Sequence, residues 1–381
     1  MKPIYLDHAA GTVIHPEVQE IISQEIIGNP SSIHDAGLKA KELLEKSREK
    51  VKNIINAQKP SEIIFTASGT ESINLAIQGI ARANTRKGNH IITSKIEHDA
   101  VLETCRYLEK EEGFTVTYLN VDTDGFVNPL DVEKAITSKT ILITIMYANN
   151  EIGTIQDIAA IGKIARKNNI YFHTDACQAG SILDIDVTTL NVDLMTLNGN
   201  KISGPSGVGL LYIKDGVTIH PLLHGGKQEF GLRSGTENVA AIAGFAKALQ
   251  LAQLEKETEN QRLEKLQQKL ISGLIKKIPG CSLNGHSKKR LPQNVNMTFP
   301  GVDAEQVIRH LNQESIYVSS GSACTARSVK LSHVLEAMGI VTTGAIRFTV
   351  GRETKEDDVD AVLQILPPII QTLREVSQIV I

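Results

Sequence analysis

Between residues 63 and 213, seven short apolar runs rich in β-branched residues alternate with longer amphipathic stretches. The runs fall at 63–66, 90–94, 115–120, 140–147, 170–175, 194–197 and 209–213. One of them contains Ile141-Leu142-Ile143-Thr144-Ile145-Met146, apolar at nearly every position. A strand of that kind must be covered on both faces, which suits a mainly parallel sheet. The stretches between carry helical spacing instead. Leu43, Leu44, Val51, Ile54 and Ile55 share one face, as do Ile158, Ile161, Ile164 and Ala165. Strand and helix in alternation constrain this part of the chain to an α/β fold with helices on both faces of the sheet.

After Gly235 the pattern changes. A long helix is expected from Thr236 to about Gln261, then a further helix, then strands near 295–299, 316–319 and 345–349 and a last helix from about Glu356. This reads as a smaller α+β domain. The predicted division places a large domain at 16–255 and a small one at 1–15 with 256–381. A chain of 381 residues is long enough for such a division.

Charge and composition narrow the function. The 40 basic and 43 acidic residues are interspersed and leave a net charge of −3, which argues against a nucleic-acid or anionic-membrane surface. Aromatics make up 4% and Trp is absent, so a base-stacking platform is not expected. No apolar run approaches membrane-spanning length. Cys105, Cys177, Cys281 and Cys324 are widely spaced, without a CxxC pair, which predicts a reducing compartment and no zinc site. The expectation is a soluble, cytoplasmic protein with no metal.

Three segments carry candidate chemistry. Phe65-Thr66-Ala67-Ser68-Gly69-Thr70-Glu71 reads as strand, tight turn and helix start, where free N–H groups bind phosphate. Asp175 ends a predicted strand with Gln178 three residues on, at the place where open α/β sheets hold ligands. Lys201 follows another strand, in Asn198-Gly199-Asn200-Lys201, and a lysine held there can lose its proton and form a Schiff base. A phosphate turn, a carboxylate for a ring nitrogen and a Schiff-base lysine together ask for pyridoxal 5'-phosphate. A fourth segment, Ser319-Ser320-Gly321-Ser322-Ala323-Cys324-Thr325-Ala326, sets a thiol among small residues, where it can be reached.

Motifs along nearly the whole chain carry a resemblance: YLDHAAGT at 5–12, GNPSSIH at 28–34, TASGTES at 66–72, EHDAVL at 97–102, NNEIGT at 149–154, HTDACQ at 173–178, GLRSGTEN at 231–238, SSGSACTA at 319–326 and IRFTVGR at 346–352. In these the sequence resembles the cysteine desulfurases of iron-sulfur cluster assembly, class V enzymes of fold type I that use pyridoxal phosphate. The resemblance implies a large domain with a mainly parallel seven-stranded sheet, a smaller α+β domain and a homodimer. It implies that Lys201 holds the cofactor and shuttles a proton, Asp175 pairs with the ring nitrogen, and Gln178 bonds the ring oxygen. His98 would stack on the ring and could move a proton. Asn150 would orient the ring oxygen or the substrate, Gly69 and Thr70 would bind phosphate, and Thr236 would reach the phosphate in the neighbouring subunit. Arg347 would clamp the carboxylate of L-cysteine, with Asn29 and His34 as substrate neighbours. Cys324 would take the sulfur as a persulfide and pass it to an acceptor protein, such as an iron-sulfur scaffold or a thiouridine-forming transferase.

The chain departs from the family pattern before the lysine. Asn198 and Asn200 stand where Ser and His are usual. Amides can still donate to phosphate, but they bring no charge, and charged donors bind about twice as strongly. His8 stands where Asn or Tyr is usual. Two other readings remain open here: a selenocysteine lyase or other class V enzyme, and a low-turnover sulfur-relay protein.

Overall fold

A computed structural model describes residues 2–321 and 331–379; Cys324, with the rest of 322–330, lies outside the described residues. The chain begins with β1 (Ile4–Tyr5), α1 (Pro16–Ile22) and α2 (Asp35–Ile54). Then come β2 (Ile63–Thr66), α3 (Gly69–Ala83), β3 (His90–Ser94), α4 (Asp99–Glu112), β4 (Thr115–Leu119), α5 (Pro129–Ala135) and β5 (Thr140–Thr144). The sheet continues through α6 (Ile158–Lys167), β6 (Tyr171–Asp175), α7 (Val187–Leu190), β7 (Leu194–Asn198) and β8 (Gly209–Ile213). The remainder is α8 (Val239–Lys277), β9 (Ser282–Leu283), β10 (Asn294–Thr298), α9 (Ala304–Gln313), β11 (Ile316–Tyr317), α10 (His333–Ala337), β12 (Ala345–Thr349) and α11 (Glu356–Ile379).

The main sheet has seven strands in the order β2-β8-β7-β6-β5-β3-β4. All run parallel except β8, which is antiparallel to both β2 and β7. The apolar run at 141–143 is buried on both faces, because helices cover the sheet on each side. One core layer joins Ile143, Phe172, Met195 and Leu210 to α2, α6 and the start of α8. The other joins Ile91, Leu142 and Leu211 to α3 and α4. A separate core forms where β12-β10-β9 packs with α9, α11 and the far half of α8.

Helix α8 differs from the expected pair of helices. It runs unbroken for 39 residues. Its first half places Ile242, Phe245 and Leu249 in the sheet core, and its second half places Leu263, Leu266, Leu270 and Leu274 in the other core. The charged stretch between carries neither proline nor glycine, so nothing breaks the backbone hydrogen bonding there.

Candidate active site

The strand order reverses between β3 and β5, and side chains converge at the C-terminal ends of the parallel strands around that point. A cleft of about 270 Å³ is lined there by Gly69, Thr70, His98, Asn150, Asp175, Gln178, Asn198, Asn200, Lys201 and Arg347. Each arrives by a local rule. Ser68 caps α3, its hydroxyl accepting from Glu71 N at 3.2 Å, so the first turn presents Gly69 and Thr70 to the cleft. A Cβ on Gly69 would stand 2.8 Å from Cys177 Sγ and 3.3 Å from Asn198 Cβ, so only glycine lets this turn approach. His98 caps α4 through Nδ1, which accepts from Ala100 N at 3.0 Å; its neutral ring therefore carries the proton on Nε2.

Asp175 closes β6, nearly buried, with Oδ1 accepting from Cys177 N at 3.0 Å. Lys201 ends the tight turn Gly199–Lys201 after β7. Its Nζ donates to the carbonyls of Ala9 and Ala10 at 2.8 and 2.6 Å. Gln178 donates to the Ala9 carbonyl from the same side at 3.1 Å. Arg347, on β12, is 1% exposed. It donates to Asp7 Oδ1 at 2.7 Å and to the Asn150 carbonyl at 3.0 Å, while Nε finds no acceptor among the described residues.

Three predicted residues do not line this cleft. Asn29 and His34 lie exposed in the turn before α2, where Asn29 Oδ1 accepts from Ser31 N and His34 Nδ1 caps the helix by accepting from Gly37 N. Thr236 is exposed in the segment before α8. The three described cysteines are poor nucleophiles. Burial raises the thiol pKa of Cys105 and Cys281, and burial beside the Asp175 carboxylate raises that of Cys177 well above the usual thiol range. Sequence reading missed Asp7 and the carbonyls of Ala9 and Ala10. Their motif was noticed, but backbone acceptors have no side-chain signature.

The donor set fits pyridoxal phosphate. The α3 N-terminus suits an anion, Asp175 suits a protonated ring nitrogen, and Lys201 suits an aldehyde. Among the described residues Asn200 Oδ1 is buried and makes no hydrogen bond. Residues 4–362 match the model of the aminotransferase class-V family. The chain belongs to that family. A cysteine desulfurase IscS of Methanosarcina thermophila is 50% identical over 382 residues, which cover 99% of this chain and 94% of that protein. One of Dictyoglomus turgidum is 48% identical, covering 99% and 96%. Among solved structures, a NifS-like protein superposes with TM-score 0.91 at 38% identity, over 97% of this chain and 100% of that one. SspA in complex with cysteine superposes with TM-score 0.80 at 37% identity, over 91% and 98%. This class V chain thus shares its fold with proteins of that description over more than nine-tenths of its length.

Proposed function

We propose that the chain is a pyridoxal-phosphate-dependent cysteine desulfurase, converting L-cysteine to L-alanine and leaving the sulfur as a persulfide on Cys324. The observation that carries the reading is Lys201, Asp175 and the α3 N-terminus in one cleft with Arg347 at its edge. The cofactor, when bound, supplies an electron sink that weakens bonds at the substrate's α- and β-carbons. Asp175 would keep the ring nitrogen protonated, and Gly69, Thr70, Asn198 and Asn200 would hold the phosphate. Lys201 moves a proton at the α-carbon, and His98, with its proton on Nε2, lines the same cleft as a second donor. Arg347 is oriented by Asp7 so that part of its planar fork stays available to the substrate carboxylate.

The balance is closed by one thiol. The Cys324 thiolate attacks the substrate sulfur, the carbon–sulfur bond breaks, a sulfur–sulfur bond forms, and a proton replaces sulfur on the carbon. An acceptor thiol then takes the outer sulfur, for iron-sulfur cluster or thio-cofactor synthesis. Lys201, Asp175 and Arg347 lining one cleft favour turnover over a relay role.

The reading extends to a cytoplasmic homodimer of two-domain subunits, divided at 16–255 and at 1–15 with 256–381. Thr236 is exposed away from its own cleft, and Ile27, Ile33 and Phe230 expose apolar surface. A partner subunit would cover these and receive Thr236. Among the described residues no helix is long and apolar enough to cross a membrane.

The test is alanine and sulfide release from L-cysteine with pyridoxal phosphate and a thiol reductant. Equal amounts are expected from the wild type, with release lost in Lys201→Ala and Cys324→Ala. Cofactor absorbance without sulfide would retain the lysine and reject the substrate. Undiminished sulfide from Cys324→Ala would reject the persulfide step.

A further inference from the structure

A second cavity, of about 90 Å³, lies behind the lysine, between the sheet core and the small-domain core. Ala9, Gln178 and Lys201 line both this chamber and the cleft, so the two share a wall. Four further lining residues are nine-tenths or more buried: His8, His15, Gln293 and Thr349. In each, one polar atom makes no hydrogen bond to protein among the described residues: His8 Nε2, His15 Nε2, Gln293 Oε1 and Thr349 Oγ1. Buried polar atoms are rarely left so, and four around one cavity ask for a common partner.

The chemistry of the four atoms identifies it. His15 Nδ1 accepts from Glu17 N at 3.1 Å, so His15 Nε2 carries hydrogen and donates. Gln293 Oε1 accepts, and Thr349 Oγ1 does both. The His8 ring is fixed edge-on to Tyr5, and a Cβ on Gly351 would stand 2.4 Å from its Cε1. Donors and acceptors mixed at close quarters suit neither an anion nor a cation; they suit water. At the other end the chamber is lined by Glu255, Glu259 and Arg352. Glu255 and Arg352 are exposed and pair at 2.9 Å, which makes this end the route to solvent.

We propose that the chamber holds a fixed cluster of a few waters bonded to His8, His15, Gln293 and Thr349, and that this cluster carries protons between Lys201 and solvent. The inference rests on the proton-moving role proposed for Lys201. Cofactor and substrate would fill the front cleft, leaving the rear as the path for exchange. A proton leaving the Lys201 ammonium enters the first water as another leaves the last for solvent. Nothing is oxidised or reduced.

The test compares the wild-type holoprotein with the double variant Gln293→Leu, Thr349→Val, by high-resolution crystallography and by exchange of the L-alanine α-hydrogen in deuterium oxide. Expected are ordered waters within hydrogen-bond reach of the four atoms, fewer waters in the variant, and exchange slowed about tenfold with alanine affinity and cofactor absorbance unchanged. A dry chamber in the wild type overturns the proposal, and needs no variant to fold. Waters lost with exchange unchanged overturn the relay. Failure of the wild type to exchange at all rejects the role of Lys201 and the relay with it, while the density still decides the water cluster.

Discussion

Glu97 precedes the ring-stacking candidate His98 and is fully buried. Its Oε1 accepts from Ser94 Oγ at 2.5 Å and Met146 N at 3.1 Å, while Oε2 has no partner among the described residues. Burial, with a smaller push from Asp175, raises its pKa to about 8, so the carboxyl is mostly protonated at neutral pH. The folded state therefore holds a proton that the unfolded chain releases near pH 4.5. The stabilisation is complete below that pH and is lost as pH rises through about 8, on the order of a few kcal/mol in all. Glu97→Gln should flatten the decline, seen by urea unfolding at pH 6 and pH 9; an unchanged difference between the two would reject a protonated Glu97. Arg347 makes a prediction at the same scale. Lysine cannot supply a planar fork, so Arg347→Lys should raise KM for L-cysteine by about 10- to 100-fold. An unchanged KM would remove Arg347 from the substrate site.

Between elements, one ion pair ties α2 to the segment that carries Thr236. Arg48 and Glu229 are both buried and meet in two hydrogen bonds, at 2.9 and 2.8 Å. Glu229 also accepts from Phe65 N at 2.7 Å, and the guanidinium lies about 5 Å from the ring centres of Phe65 and Phe230. Glu229 and Phe230 both have positive φ, 46° and 57°, a strained pairing for residues with side chains. The ion pair holds that turn in place. Glu229→Ala should destabilise by about 3–5 kcal/mol, because it leaves the buried guanidinium with only the half-exposed Glu45, at 3.3 Å, as a charge partner. Arg48→Met with Glu229→Leu should recover much of this in denaturant unfolding. Equal losses in the single and double variants would mean that packing, not charge, holds the turn. The sequence offered no hint of this pair, whose members stand 181 positions apart.

At the scale of the molecule, two histidines are held neutral by burial. His173 lies between Thr144 Oγ1 and Thr196 Oγ1, at 2.8 and 3.0 Å, on strands either side of its own. Burial lowers its pKa, and that of His8, to about 4. The unfolded chain protonates near pH 6.5, so stability is full above that pH and falls as pH drops towards 4. Each histidine contributes on the order of 3 kcal/mol to this loss. His173→Gln should move the acid-unfolding midpoint downward, followed by circular dichroism since Trp is absent. An unmoved midpoint would place acid sensitivity elsewhere.

Much of the fold was legible because strand burial writes itself into local composition. The predicted strands at 63–66, 90–94, 209–213 and 345–349 match the structure residue for residue. The cleft residues were legible too: Asp175 ends a strand, and Lys201 and Gly69 stand shortly after strands, so a linear reading already set them at one end of the sheet. What the sequence by itself determined was the doubly covered sheet, the chemistry available at its edge and the family pattern. Only the tertiary structure decided the rest. It joined two expected helices into α8, because cores on either side bury its two ends. It set Asn29, His34 and Thr236 outside the cleft, and brought Asp7 to Arg347 across 340 positions. It also gave His8 a chamber shared with Thr349 and Gln293. Periodicity reports which face of an element is buried; it carries no record of what distant segment lies against that face.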